Sequence, residues 1–116
     1  MDVYHIWCNL RTGVSDAQFA ANVDAYLGEL AQQDLIAGHR ITRRKLGLGP
    51  TVLGEFHVSI EIRDLAQLDQ AFERVSTRSG EVEGLHAAVN QMARDLTFAL
   101  YRDFPDPHRA IGEERF

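Results

Sequence analysis

An unbroken alternation over residues 55–62 constrains the fold of this chain more than any other stretch. Phe56, Val58, Ile60 and Ile62 are apolar, and Glu55, His57, Ser59 and Glu61 between them are polar or charged. A period of two is that of a strand with one face on a core and the other toward something polar. Phenyl and β-branched side chains suit such a pleated, half-buried surface. What the polar face meets (water, a ligand or a second copy of the chain) is the functional question.

The other elements are read around that strand. Residues 3–10 form a first strand with Tyr4, Ile6, Cys8 and Leu10 on one face and Val3, His5, Trp7 and Asn9 on the other. Large side chains on both faces suit the centre of a sheet. Ser15, with Gln18 three residues on, opens a helix. Phe19, Val23, Tyr26, Leu27 and Leu30 are its apolar stripe. Gly28 is expected to mark close packing against a neighbour, and Gly38 to close the helix as a left-handed cap. Residues 39–48 read as a second strand whose Arg40, Arg43, Arg44 and Lys45 protect an edge. The glycines of residues 47–54 form a hairpin connection and not a phosphate cradle, because a strand and not a helix N-terminus follows them. Asp64 with Gln67 starts a second helix, striped by Leu65, Leu68, Ala71, Phe72 and Val75. An acidic loop is expected over residues 81–84, a short third helix through Leu85, Val89 and Met92, and a last strand over residues 96–104 that Pro105 and Pro107 stop.

This order predicts an α+β, ferredoxin-like βαββαβ subunit: a four-stranded antiparallel sheet, helices on one face, and an extra short helix before the last strand. Residues 1–104 form the domain and residues 105–116 a tail. The first and third strands are central. The uncovered face then carries His5, Trp7 and Asn9, then His57, Ser59 and Glu61, then Thr97, Ala99 and Tyr101. An indole, a phenol and two imidazoles at the centre of a sheet face mark an interface or a site.

Composition narrows the classes of function. At 116 residues with a net charge of -5, the chain fits one domain and lacks an electrostatic footprint for nucleic acid or an anionic membrane. Cys8 is the single cysteine, which excludes an internal disulfide and a multi-cysteine metal site. It falls on the helix-facing parity as a small buried hydrophobe. No apolar run reaches the ~18 residues of a membrane span, and no basic-then-apolar leader precedes the first strand. The expectation is a cytoplasmic protein.

These residues resemble the dimeric α+β barrel superfamily, which includes antibiotic-biosynthesis monooxygenases, haem-degrading enzymes and stress-responsive barrel proteins. The resemblance covers residues 3–104 and is one of pattern. It implies a homodimer that packs its open sheet faces, with a pocket in each subunit between the sheet and its helices or loops. The monooxygenases use Asn, Trp and Tyr or His without a cofactor. Haem-degrading members place an Asn on strand one, where Asn9 stands, and a haem-binding His on a helix, where His86 stands. Trp7 departs from that pattern, so no cofactor is expected.

Two readings of the open face follow. In the first, the homodimer binds a small aromatic or anionic ligand there, with Trp7, Asn9, Ser59, Glu61 and Tyr101 as its contacts, or the face simply meets the partner chain with Trp7 as anchor. In the second, His57 and His5 are acid–base groups of a cofactor-independent monooxygenase or isomerase acting on an aromatic or quinone-like substrate. His5, His57 and Glu61 as a two-His-one-carboxylate metal site ranks behind a hydrogen-bonded polar patch, and no metal is expected.

Overall fold

A computed structural model describes residues 1–105 together with 111 and 112. The expected tail therefore lies, apart from those few positions, outside the described residues. The elements are β1 (Asp2–Leu10), α1 (Asp16–Gln32), β2 (Gly38–Arg43), β3 (Phe56–Ile62), α2 (Leu65–Ser76), α3 (Gly80–Asn90) and β4 (Ala93–Arg102). One antiparallel sheet has the order β2-β3-β1-β4, the ferredoxin-like arrangement with the first and third strands central. All three helices contribute to the core on one of its faces.

The core is built from the parity of β3 and the stripe of α1. Phe56, Val58, Ile60 and Ile62 are all buried, facing Phe19, Val23, Leu27 and Leu30. The Phe19 and Phe56 rings meet edge to face at 5.4 Å, a favoured arrangement of ring quadrupoles. Ser15 caps α1 by accepting from the Gln18 N–H at 3.2 Å, and Asp64 caps α2 by accepting from the Gln67 N–H at 2.8 Å.

Several boundaries differ from the sequence reading. α1 ends at Gln32, and the left-handed residue after it is Asp34 (φ 59), not Gly38, which opens β2. The Leu35 N–H bonds to the Leu30 carbonyl and the Asp34 N–H to the Ala31 carbonyl, the two hydrogen bonds of a Schellman cap. Asp34 is held there from α2: the buried Gln67 amide donates to its carbonyl at 3.1 Å while accepting from the Arg63 N–H at 2.8 Å. Around Gly28 there is no atom within 4 Å of an added Cβ, so the glycine does not mark close packing. β2 stops at Arg43 and leaves a longer connection than expected.

Residues 81–84 are helix, not loop. α3 begins at Gly80, carries Glu81 and Glu83 in its first turn and buries Val82 completely enough to join the core. Carboxylates at a helix N-terminus meet the positive end of its dipole. β4 begins at Ala93, three residues before its expected start, because a bulge interrupts its alternation. Trp7 pairs with Thr97 but Asn9 pairs with Arg94, so Asp95 and Leu96 share the space opposite Cys8. Asp95 takes φ 57 there, the left-handed conformation Asp tolerates better than most residues.

Candidate functional site

The register places the expected site residues in rows across the face that, among the described residues, carries no helix. Thr42, His57, Trp7 and Thr97 form one row, and Arg40, Ser59, His5 and Ala99 the next. Glu61, Val3 and Tyr101 lie one row further on. Side chains on one face of paired strands stand within contact distance, and here three rings collapse onto one another. Trp7 stacks on His57 with centroids 4.8 Å apart and on His5 at 5.5 Å, and the two imidazoles lie side by side with centroids 5.1 Å apart and planes 9° from parallel. Tyr101 meets His5 edge-on at 5.1 Å.

A hydrogen bond of 2.8 Å joins His5 Nδ1 to His57 Nε2. The second nitrogen of His57, Nδ1, lies 3.3 Å from the Thr42 hydroxyl. Burial, and then the neighbouring His5, hold the His57 imidazole below the ordinary histidine value, because both disfavour its charged form. Thr42 is a contact that sequence reading missed. Its only signal was a hydroxyl on a strand too basic to show a clear alternation.

The remaining expected residues separate from this cluster. Asn9 is a strut: its Oδ1 accepts from the Glu55 N–H at 2.9 Å and its Nδ2 donates to Asp95 at 3.1 Å. Glu61 is exposed and forms no ion pair with either imidazole. Among the described residues no three His, Cys, Asp or Glu side chains gather in a group that could hold a metal ion. In the basic stretch, Arg43 is held by Asp16 at 2.9 Å and Glu55 at 3.4 Å, and Arg44 donates to the carbonyls of the connection that follows β2. A cleft of about 230 Å³ lies between that connection and the ring cluster, bounded by Trp7, His57, Thr42, Leu48 and Leu53.

The larger hollow lies on the opposite side of the sheet. A cavity of about 330 Å³ separates the strands from the helices, walled by Tyr4, Ile6 and Val58 below and by Leu27, Ala71 and Val89 above. None of His5, Trp7, Asn9, His57, Ser59, Glu61 and Tyr101 lines it. Phe72, Leu96 and Phe98 also line it and are about half-exposed, which marks the mouth between α2 and the edge strand β4. Tyr4 sits just inside, edge-on to Phe72 at 5.6 Å and stacked on Phe98 at 6.1 Å. The polar groups along the wall are few: the Tyr4 and Tyr26 phenols, His86, Asn90 and Cys8. Burial raises the Tyr26 phenol to about 12 and the Cys8 thiol to about 11, so both are neutral and Cys8 is no nucleophile. This volume and apolar lining, with a few convergent polar groups, match small-molecule sites in general.

Residues 1–116 match the model of DUF6614, described as a family of unknown function. No curated protein sequence matches the chain. The fold is similar to that of a mutant of SnoaB, a cofactor-independent oxygenase from Streptomyces nogalater, with TM-score 0.68, 9% identity and coverage of 93% of this chain and 97% of that one. It is similar to At3g17210 of Arabidopsis thaliana, with TM-score 0.69, 7% identity and coverage of 89% and 95%. A dimeric ferredoxin-like protein of unknown function from Jannaschia sp. CCS1 gives TM-score 0.64 and 11% identity over 89% and 100%. Such identities establish a shared fold and leave activity to be argued from the site.

Proposed function

We propose that this chain, which belongs to DUF6614, a family of unknown function, is a homodimer that joins its open sheet faces and keeps a small, largely apolar, ring-bearing ligand in the cavity on the other side. The observation that carries this reading is the division of labour across the sheet. One face presents a stack of Trp7, His57 and His5 with no helix of the described residues over it; the other encloses a cavity of about 330 Å³ behind an aromatic mouth. Half-buried ring clusters of this kind suit the centre of a protein–protein contact. The description of ferredoxin-like neighbours as dimers supports the first half. Apolar walls with a few polar groups near Tyr26, His86 and Asn90 support the second. The ligand thereby moves from the open face, where the residue pattern put it, to the helix side.

The second reading is catalytic, and the 2.8 Å His5–His57 pair beside the smaller cleft favours it. An imidazole kept neutral is a competent base near neutral pH. A flat aromatic substrate in that cleft would lie against Trp7 and His57, with Thr42 at its edge. SnoaB, described as a cofactor-independent oxygenase, lends this reading a precedent in fold alone.

Light scattering and a binding titration test the first reading together. The wild type is expected at twice the mass of the single chain, and Trp7→Ala at the single-chain mass. The apolar fluorescent probe N-phenylnaphthylamine is expected to brighten on binding, and Leu96→Trp at the cavity mouth to weaken it at least tenfold. A Trp7→Ala dimer refutes the paired face, and unchanged probe binding by Leu96→Trp refutes the helix-side site. Turnover of an aromatic substrate that His57→Ala abolishes, with the dimer intact, would instead establish the catalytic reading.

A further inference from the structure

The two imidazoles on the open face constrain each other's charge. Their 2.8 Å contact runs from His5 Nδ1 to His57 Nε2. Such a bond needs one N–H and one lone pair, whichever ring supplies which. Two neutral rings satisfy it, and so does one neutral ring with one imidazolium. Two imidazolium rings do not, because both nitrogens then carry a proton and two positive charges face each other across that short contact.

We propose that the His5–His57 pair is a proton gate on the homodimer, closed while at least one imidazole is neutral and opened when both are charged. This inference rests on the paired-face reading above. In the dimer the pair is sandwiched between sheets, so the second proton cannot be accommodated by turning a ring out to water; in the free subunit it can.

Among the described residues, the surrounding groups form no ion pair with either imidazole. On β2, Arg40 stands in the same row as His5 and adds positive charge. On β3, Glu55 is engaged by Arg43, and Glu61 forms no ion pair with either ring. On β4, Arg94 and Asp95 hold each other at 3.7 Å, and Tyr101 offers only a ring edge to His5. Arg43 at the end of β2 is held by Asp16 and Glu55, and of the connection's cations Arg44 is held by backbone carbonyls and Lys45 follows it. The helices lie on the other face and present nothing to the pair. A second copy brings the same set again.

The sign follows from linkage. A proton taken up by the free subunit and refused by the dimer favours dissociation as pH falls through the His57 value, which burial and His5 hold below the ordinary 6.5. One refused proton per subunit makes two per dimer, so the dissociation constant rises up to roughly 100-fold per pH unit in that range and is flat above it.

Sedimentation velocity between about pH 8 and about pH 5 tests the gate, with the emission of Trp7, the single tryptophan, as an independent reading of the ring cluster. The expected result is a dimer at the upper pH, dissociation at the lower, and a Trp7 emission change over the same range. His57→Gln and His5→Gln each keep a hydrogen-bonding group and remove one titrating ring; both are expected to stay dimeric at about pH 5. A wild type that is dimeric throughout overturns the gate and leaves the paired face standing. Dissociation of both glutamine variants at the same pH as wild type also overturns it, since other groups then carry the effect. Should both variants be monomeric already at the upper pH, a histidine nitrogen NMR titration of the wild type decides: dissociation with one of the two rings still neutral overturns the gate. A wild type monomeric at every pH refutes the paired face itself.

Discussion

Gly54, in the connection between β2 and β3, lies against the backbone of β1, and replacing it with alanine tests how rigidly the two are joined. An added Cβ would stand 2.4 Å from the carbonyl carbon and oxygen of Cys8 and 2.7 Å from its Cα. Carbon atoms not bonded to each other rest about 3.5–4.0 Å apart, so the two backbones must separate by about 1 Å. Neither side can yield by turning a side chain, since every colliding atom belongs to the main chain of a central strand. Overpacking of this kind costs about 1–3 kcal/mol. The adjacent hydrogen bond from the Glu55 N–H to Asn9 would stretch as well, adding about 1 kcal/mol. A loss of about 2–4 kcal/mol lowers Tm by roughly 8–15 °C for a domain of this size. Gly28→Ala is the matched comparison, because its new methyl meets no atom within 4 Å. In the interior of α1 it should add up to about 1 kcal/mol from helix propensity. Thermal unfolding followed by far-ultraviolet circular dichroism measures both. A Gly54→Ala protein melting within about 2 °C of wild type would refute the close-approach argument, since the strain would then have been relieved at negligible cost.

Three further outcomes follow from other parts of the molecule. Asp2 is buried and accepts two hydrogen bonds from Arg102, at 2.6 and 3.1 Å; the Arg102 hydrogen bonds hold its carboxyl below the ordinary value of 3.8. That pair contributes stability above the ordinary carboxylate range and loses it as pH falls from there through the lowered value. Asp2→Asn should cost about 1–2 kcal/mol near neutral pH and lose part of the acid sensitivity, read from urea midpoints across the acid range. Val82→Ala should cost about 1–3 kcal/mol if α3 truly begins at Gly80, whereas the same change in a solvated loop would be nearly silent in a urea titration. Phe72→Ala, at the half-exposed mouth of the helix-side cavity, should loosen binding of N-phenylnaphthylamine several-fold and speed its release in stopped flow. Unchanged release would mean that the probe enters elsewhere.

How much of this could be read beforehand depended on whether a pattern stayed local. The parity of β3 and β1 is written in eight or so consecutive side chains, so the two faces and the central positions of these strands followed directly. The caps at Ser15 and Asp64 were equally plain, because an N-cap and its partner are three residues apart. Gly38 misled because glycine is the commonest left-handed cap, while here Asp34 takes that conformation and is secured by Gln67 from a helix 33 residues away. The start of α3 was hidden by Gly80 and Gly84, which mimic a loop, although Glu81 and Glu83 gave the charge signature of a first turn. The ring cluster was legible as a set of residues but not as contacts, since the hydrogen bond between His5 and His57 depends on register. The cavity was not legible at all: no single stretch encodes the gap left between a sheet and helices that do not reach its edge strand.

The bulge in β4 gives that strand an unusual tolerance. Ahead of it Ala93 points to the core and Arg94 away; beyond it Leu96 lines the cavity and Thr97 lies beside Trp7. Excising Asp95 would bring Leu96 directly opposite Cys8 and leave every other pairing as it stands, whereas loss of Ala99 would turn Phe98 or Leu100 to the other face. The gene could thus shed one codon at this point and still spell the same two surfaces, a freedom that the rest of the strand does not have.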